Sequence, residues 1–74
     1  MKTEFKYITF SLIDKKPKTF VYSCRNNRSG VELGIVKWNS HWRQYCYYST
    51  ADAVYSVGCL SDISEFINEL KESK

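Results

Sequence analysis

Residues 59–70, CLSDISEFINEL, carry the one helical rhythm in the sequence. At 100° per residue, Cys59, Leu60, Ile63, Phe66, Ile67 and Leu70 fall within an arc of about 120°. Asp62, Glu65, Glu69 and Glu72 fill the far side. A helix with an apolar stripe of this width has to lie on another apolar surface. Acids near its start, and Lys71 and Lys74 near its end, suit the helix dipole. Ser56 and Ser61 are both placed to cap its N-terminus.

Upstream of the helix the rhythm is two. In residues 5–13, FKYITFSLI, the side chains of Ile8, Phe10 and Leu12 alternate with Tyr7, Thr9 and Ser11, as on a half-buried strand. The lysine-rich stretch around Pro17 reads as a turn, because proline cannot donate to a ladder and the lysines favour water. Residues 19–25, TFVYSCR, alternate again, with Phe20, Tyr22 and Cys24 opposite Val21 and Ser23, so the two strands are expected to form an antiparallel hairpin. After the loop Asn26–Gly30, residues 31–38, VELGIVKW, form a third strand. Gly34 inside it marks a bulge or a group lying close to the backbone. The turn Asn39-Ser40-His41 leads into a fourth strand at residues 42–48, WRQYCYY. A two-residue turn would set Lys37 opposite Trp42, and a three-residue turn Trp38 opposite Trp42. Pattern alone leaves that register open. Ala53–Val57 is a candidate fifth strand. The expected fold is therefore α+β: an antiparallel meander of four or five strands with one C-terminal amphipathic helix packed on one face.

Composition agrees with one small domain. In 74 residues there is space for a thin core only, and the two Trp, six Tyr and four Phe supply the buried area that such a core needs. No stretch approaches the roughly 20 apolar residues of a membrane span. Glu4 and Lys6 interrupt the N-terminal stretch too early for a secretory signal, so the expected compartment is the cytoplasm. Residues 1–50 hold nine basic and three acidic side chains, and residues 51–74 hold two basic and five acidic ones. A basic sheet and an acidic helix give the molecule an electrical front and back.

Catalysis and metal binding find little support in the residues. Cys24, Cys46 and Cys59 are odd in number and far apart, which fits reduced thiols. With His41 they make four zinc-capable side chains, but none forms the closely spaced pair of a structural zinc site. Cys46 and His41 as a thiol–imidazole pair lack an orienting carboxylate. Gly30, Gly34 and Gly58 make no phosphate-binding loop. No cofactor and no enzymatic activity are expected.

The segment Gly34–Tyr48, GIVKWNSHWRQYCYY, followed by Cys59-Leu60-Ser61-Asp62-Ile63 and Phe66-Ile67, resembles a family of small uncharacterised proteins encoded in bacteriophage and prophage genomes. The family's pattern is close to G-x-[IV]-K-W-x-x-x-W-R-Q-Y-C with an aromatic pair, then C-L-x-[DE]-I-x-x-F. Ser49 stands where that pattern has proline, and the N-terminal half is outside the resemblance. The resemblance implies a phage-type origin and no mechanism.

The richest cluster is Lys37, Trp38, His41, Trp42, Arg43, Tyr45 and Tyr47. Trp, Tyr and Arg dominate the centres of protein–protein interfaces, so the leading expectation is a protein partner, a host or defence component, bound through these residues. Basic and aromatic side chains interleaved on a sheet also suit non-specific single-stranded nucleic acid. A free strand edge or an uncovered aromatic face would favour a homodimer or larger self-assembly. Against all three stands the use of the tryptophans as core pillars of a thin domain.

Overall fold

A computed structural model describes residues 1–72. Within them the chain forms β1 (Ile8–Lys15), β2 (Phe20–Asn26), β3 (Glu32–Asn39), β4 (Gln44–Ser49) and one helix, α1 (Val57–Glu72). The strands form a single antiparallel sheet in the order β1-β2-β3-β4, each paired with its neighbours in sequence. The α+β meander with a C-terminal helix is the architecture that the alternation predicted. No fifth strand is present among the described residues. Residues 53–56 instead lead into the helix, and Tyr55 donates its hydroxyl proton to the Leu33 carbonyl at 2.8 Å.

The alternation sorts the side chains as expected on β1 and β2. Phe10 pairs with Cys24 and Leu12 with Tyr22 on the helix side, although Leu12 is 51% exposed, while Ser11 pairs with Ser23 on the other face, where Ser23 is buried all the same. Strand limits differ at the N-terminus. Residues 5–7 are not part of β1, because the chain before it folds back along the strand. Phe10 N–H donates to Thr3 O at 2.8 Å and Phe5 N–H to Ile8 O at 2.9 Å. Phe5 is buried all the same, edge-on to Phe10 with centroids 5.8 Å apart.

Gly34 answers to both readings of a strand glycine. The β2–β3 register shifts between Cys24, opposite Gly34, and Arg25, opposite Glu32, so a bulge lies beside it. A methyl group at Gly34 would collide with the Tyr48 carbonyl oxygen and come within 2.7 Å of the Tyr47 ring. Only hydrogen leaves space for that ring to lie flat across the sheet.

The helix starts at the earlier of its two candidate caps. Ser56 Oγ accepts the Cys59 N–H at 3.2 Å and Ser56 O accepts the Leu60 N–H at 3.1 Å. That start leaves the first turn without an acidic residue, contrary to the expected dipole pattern, and Lys71 stands in the last turn. Lys74 lies outside the described residues. Ile63, Phe66 and Leu70 are fully buried, and Cys59 and Ile67 are partly so. Leu60, placed on the apolar arc by its spacing, is 54% exposed. Leu60 sits at the edge of the apolar arc, while Cys59 in the same turn packs against the core.

Phe66 fixes the helix to the sheet. Its ring stacks on Phe10 with centroids 3.9 Å apart and planes 1° from parallel, and meets Tyr22 edge-on at 5.0 Å. Phe66→Ala is expected to destabilise the domain by about 3–5 kcal/mol, a large part of the stability of so small a fold. Glu65→Ala, on the exposed side of the same turn, should change it by less than about 0.5 kcal/mol. Urea titrations of the two variants check this, and equal effects would refute the assignment of the helix face.

Candidate functional site

In an antiparallel meander the first and third connections emerge at the same end of the sheet. Here that end carries the β1–β2 turn around Pro17, the β3–β4 turn, and Leu70 near the end of α1. The seven residues singled out from the sequence all lie on β3, β4 or the turn between them.

The β3–β4 connection has four residues, Ser40–Arg43, between the paired Asn39 and Gln44. Trp38 therefore stands opposite Tyr45, and neither register considered from the sequence forms. Trp42 and Arg43, expected on the fourth strand, belong to the turn. Asn39 builds it: its Oδ1 accepts the Trp42 N–H at 2.9 Å and its Nδ2 donates to the Tyr48 hydroxyl at 2.9 Å. Arg43 closes the turn with φ 56°, the left-handed region that a side chain disfavours. Trp42 is left 70% exposed on this braced loop, with His41 and Arg43 exposed beside it.

The remaining residues divide between the two faces of the sheet. Lys37 lies on the helix-free face, its ammonium 5.1 Å from the centre of the Tyr48 ring. Trp38, Tyr45 and Tyr47 lie on the helix side. Tyr45 is buried, meets Trp38 edge-on at 5.4 Å, and reaches across β3 so that its hydroxyl accepts the Phe20 N–H at 3.2 Å.

Tyr47 belongs to a hydroxyl network at the opposite end of the sheet. Its oxygen lies 2.8 Å from that of Tyr55. Tyr55 gives its single proton to Leu33 O, so Tyr47 is the donor between them. Burial first, then this bond and the neighbouring Cys24, hold the Tyr47 hydroxyl far above its ordinary pKa of 10.0. Burial also raises the Cys24 thiol, with the neighbouring Tyr47 hydroxyl acting in the opposite direction, and raises Tyr22 with help from Tyr45. The three cysteines are unpaired, and no three metal-binding side chains converge among the described residues. Cys46 and His41 stay on separate elements, the thiol on β4 and the imidazole in the turn.

Between the two turns and the helix lies a half-open groove of about 630 Å³. Phe20, Trp38, Tyr45 and Leu70 form its floor, and Lys15, Lys16 and Lys18 stand along its rim with Pro17 and Thr19. Among the described residues Asp14 provides the one carboxylate at salt-bridge distance from these lysines, 3.4 Å from Lys16. The groove was not visible in the sequence because its floor comes from three strands and the helix. Asn39 and Tyr48 were missed too, although an asparagine just before a turn is a known signal for a side-chain-built turn.

Fold and site together define a small α+β domain that presents a groove and a braced turn at one end. An uncharacterized 9.3 kDa protein of Acholeplasma phage L2 is 30% identical to it over 57 residues, which take in 77% of this chain and 73% of the relative. The chain belongs to the family of that phage protein. No family model matches the chain and no solved structure matches it. No helix among the described residues is long and apolar enough to cross a membrane.

The raised hydroxyls and thiol have a consequence in alkali. The native state keeps protons on Tyr47, Tyr22 and Cys24 that the unfolded chain releases near its ordinary values of 10.0, 10.0 and 9.0. Stability is therefore full below about pH 9 and falls as the pH rises beyond it. Urea midpoints measured between about pH 8 and pH 11 should decline, and more shallowly in Tyr47→Phe, which has no proton to lose. A parent and a variant with the same pH slope would refute the role of Tyr47.

Proposed function

We propose that this chain is a small phage accessory protein, not an enzyme, that acts by occupying the surface of a host or defence protein in the host cytoplasm. The β3–β4 turn, with His41, Trp42 and Arg43, is its contact surface. The observation that carries this reading is the pairing of two costly features in adjacent residues. An indole 70% exposed forgoes burial that a thin core would use, and an arginine at φ 56° sits where glycine is at ease. Strain and exposure in one braced turn suit a preorganised anchor for a partner. The likeness of Gly34–Tyr48 to a phage and prophage hairpin pattern supports the same reading.

Stacking of single-stranded nucleic acid is less well supported. Three of the aromatic side chains that it would use, Trp38, Tyr45 and Tyr47, lie on the helix side of the sheet. On the helix-free face of the central strands Val21 and Ser23 are buried, and Ile35, Lys37 and Arg25 are what it offers instead.

Affinity capture from a bacterial lysate, with and without nuclease, tests the proposal. A retained protein that survives nuclease is expected. Trp42→Ala should melt like the parent and bind that protein more weakly by about 2 kcal/mol or more. Arg43→Gly should melt at the same temperature or higher, because it relieves the backbone, and yet bind less well. Retention that nuclease abolishes would transfer the function to nucleic acid. Binding by Trp42→Ala as tight as the parent's would remove the turn from the interface.

A further inference from the structure

We propose that the groove beside this turn receives an acidic peptide segment of the partner, with one aliphatic or aromatic side chain seated on the floor. The inference rests on the protein-binding reading and names the chemistry it requires.

The floor selects an apolar group. Phe20, Trp38, Tyr45 and Leu70 present rings and a leucyl side chain, and the one hydroxyl among them already accepts the Phe20 N–H. The polar atoms of the floor are few, the Trp38 indole N–H and the Tyr45 hydroxyl. A nucleobase placed on this floor would bring a polar edge into a site with little to satisfy it, whereas a leucine or phenylalanine brings none.

The rim selects negative charge. Lys15, Lys16 and Lys18 stand within four residues, held at the groove by the β1–β2 turn, in which Lys16 N–H donates to Thr19 O at 2.8 Å. Arg43 and Lys71 add cations to the same end of the molecule, while Asp14 engages one lysine on its exposed flank. A hydrophobic floor bounded by ammonium groups is complementary to an apolar residue flanked by Asp or Glu. The volume, about 630 Å³, is that of a ligand site, but the groove is open along one side. An extended segment that continues past the opening fits such a shape. It also lies at the end of the sheet that presents Trp42, so one partner can meet both.

The test uses the full chain and a random twelve-residue peptide display library. Selected sequences are expected to share an aliphatic or aromatic residue flanked by Asp or Glu. Synthetic copies should change the fluorescence of Trp38, read in a Trp42→Phe background that leaves one indole. Affinity should fall at least about tenfold in the triple variant Lys15→Glu, Lys16→Glu, Lys18→Glu, whose exposed substitutions leave the fold to be verified by its melt. It should fall similarly when the apolar residue of the peptide is replaced by alanine, and with rising salt. Selection of basic or motif-free peptides, or undiminished binding to the triple variant, overturns the proposal. So does displacement of the peptide by a twelve-residue oligothymidine that itself binds more tightly. A captured protein that depends on Trp42 but is held equally by the triple variant leaves the turn in place and refutes the groove. Loss of that protein from the triple variant as well supports it.

Discussion

The parallel stack of Phe66 on Phe10 is the contact on which the rest of this structure depends. It joins the last element to the first across fifty-odd residues of chain, and everything on the helix side of the sheet is arranged around it. Tyr22 closes on the edge of Phe66, Phe5 on the edge of Phe10, and Ile63 and Leu70 extend the contact one turn in each direction. In a chain this short, large rings compensate for the small number of buried residues. The groove follows from the same arrangement. Phe66 sets where the helix lies, and the helix then carries Leu70 to the floor beside Phe20 and Trp38.

Periodicity made the fold legible where one face was plainly apolar and the other plainly polar. Phe10 against Ser11, and Phe66 against Glu65, leave no doubt which way the backbone is turned. It failed where both faces were apolar. In KWNSHWRQYCYY every register offers an aromatic to both sides, so alternation cannot choose among turns. The choice was made by Asn39, whose side chain folds a four-residue loop, and by Arg43, which accepts a backbone conformation that propensity disfavours. The same ambiguity hid the division of the candidate site. Seven residues close together in sequence turn out to serve four places: a water-facing turn, a groove floor, a hydroxyl network at the far end and, for Lys37, the helix-free face. Leu60 shows a different limit, since it lies at the margin of the apolar arc and spacing does not say how wide a strip the sheet covers, while Cys59 beside it is packed.

That division also bears on what kinds of ligand the sheet can take. Proteins that bind single strands on a sheet place their rings on the open face, with phosphates led along a basic track. Here the open face offers Lys37 over Tyr48 and the half-buried Glu32 carboxylate, which accepts the hydroxyl of the buried Ser23 at 2.6 Å. Lys37 and Arg25 are carried on that face, while Lys16, Lys18 and Arg43 stand in turns at one end of the sheet. Charge placed in those turns acts on what approaches that end.

The meander order has a further consequence in time. Each strand pairs with its neighbours in sequence, so the sheet can assemble stepwise as the chain leaves the ribosome. The helix that covers it follows all four strands in the chain. During the seconds of synthesis before α1 is free, Phe10, Tyr22 and Tyr45 line an uncovered surface, and β4 is a bare edge beside it. The sheet is thus at its most adhesive until α1 docks, and the seating of Phe66 on Phe10 is the step that covers it.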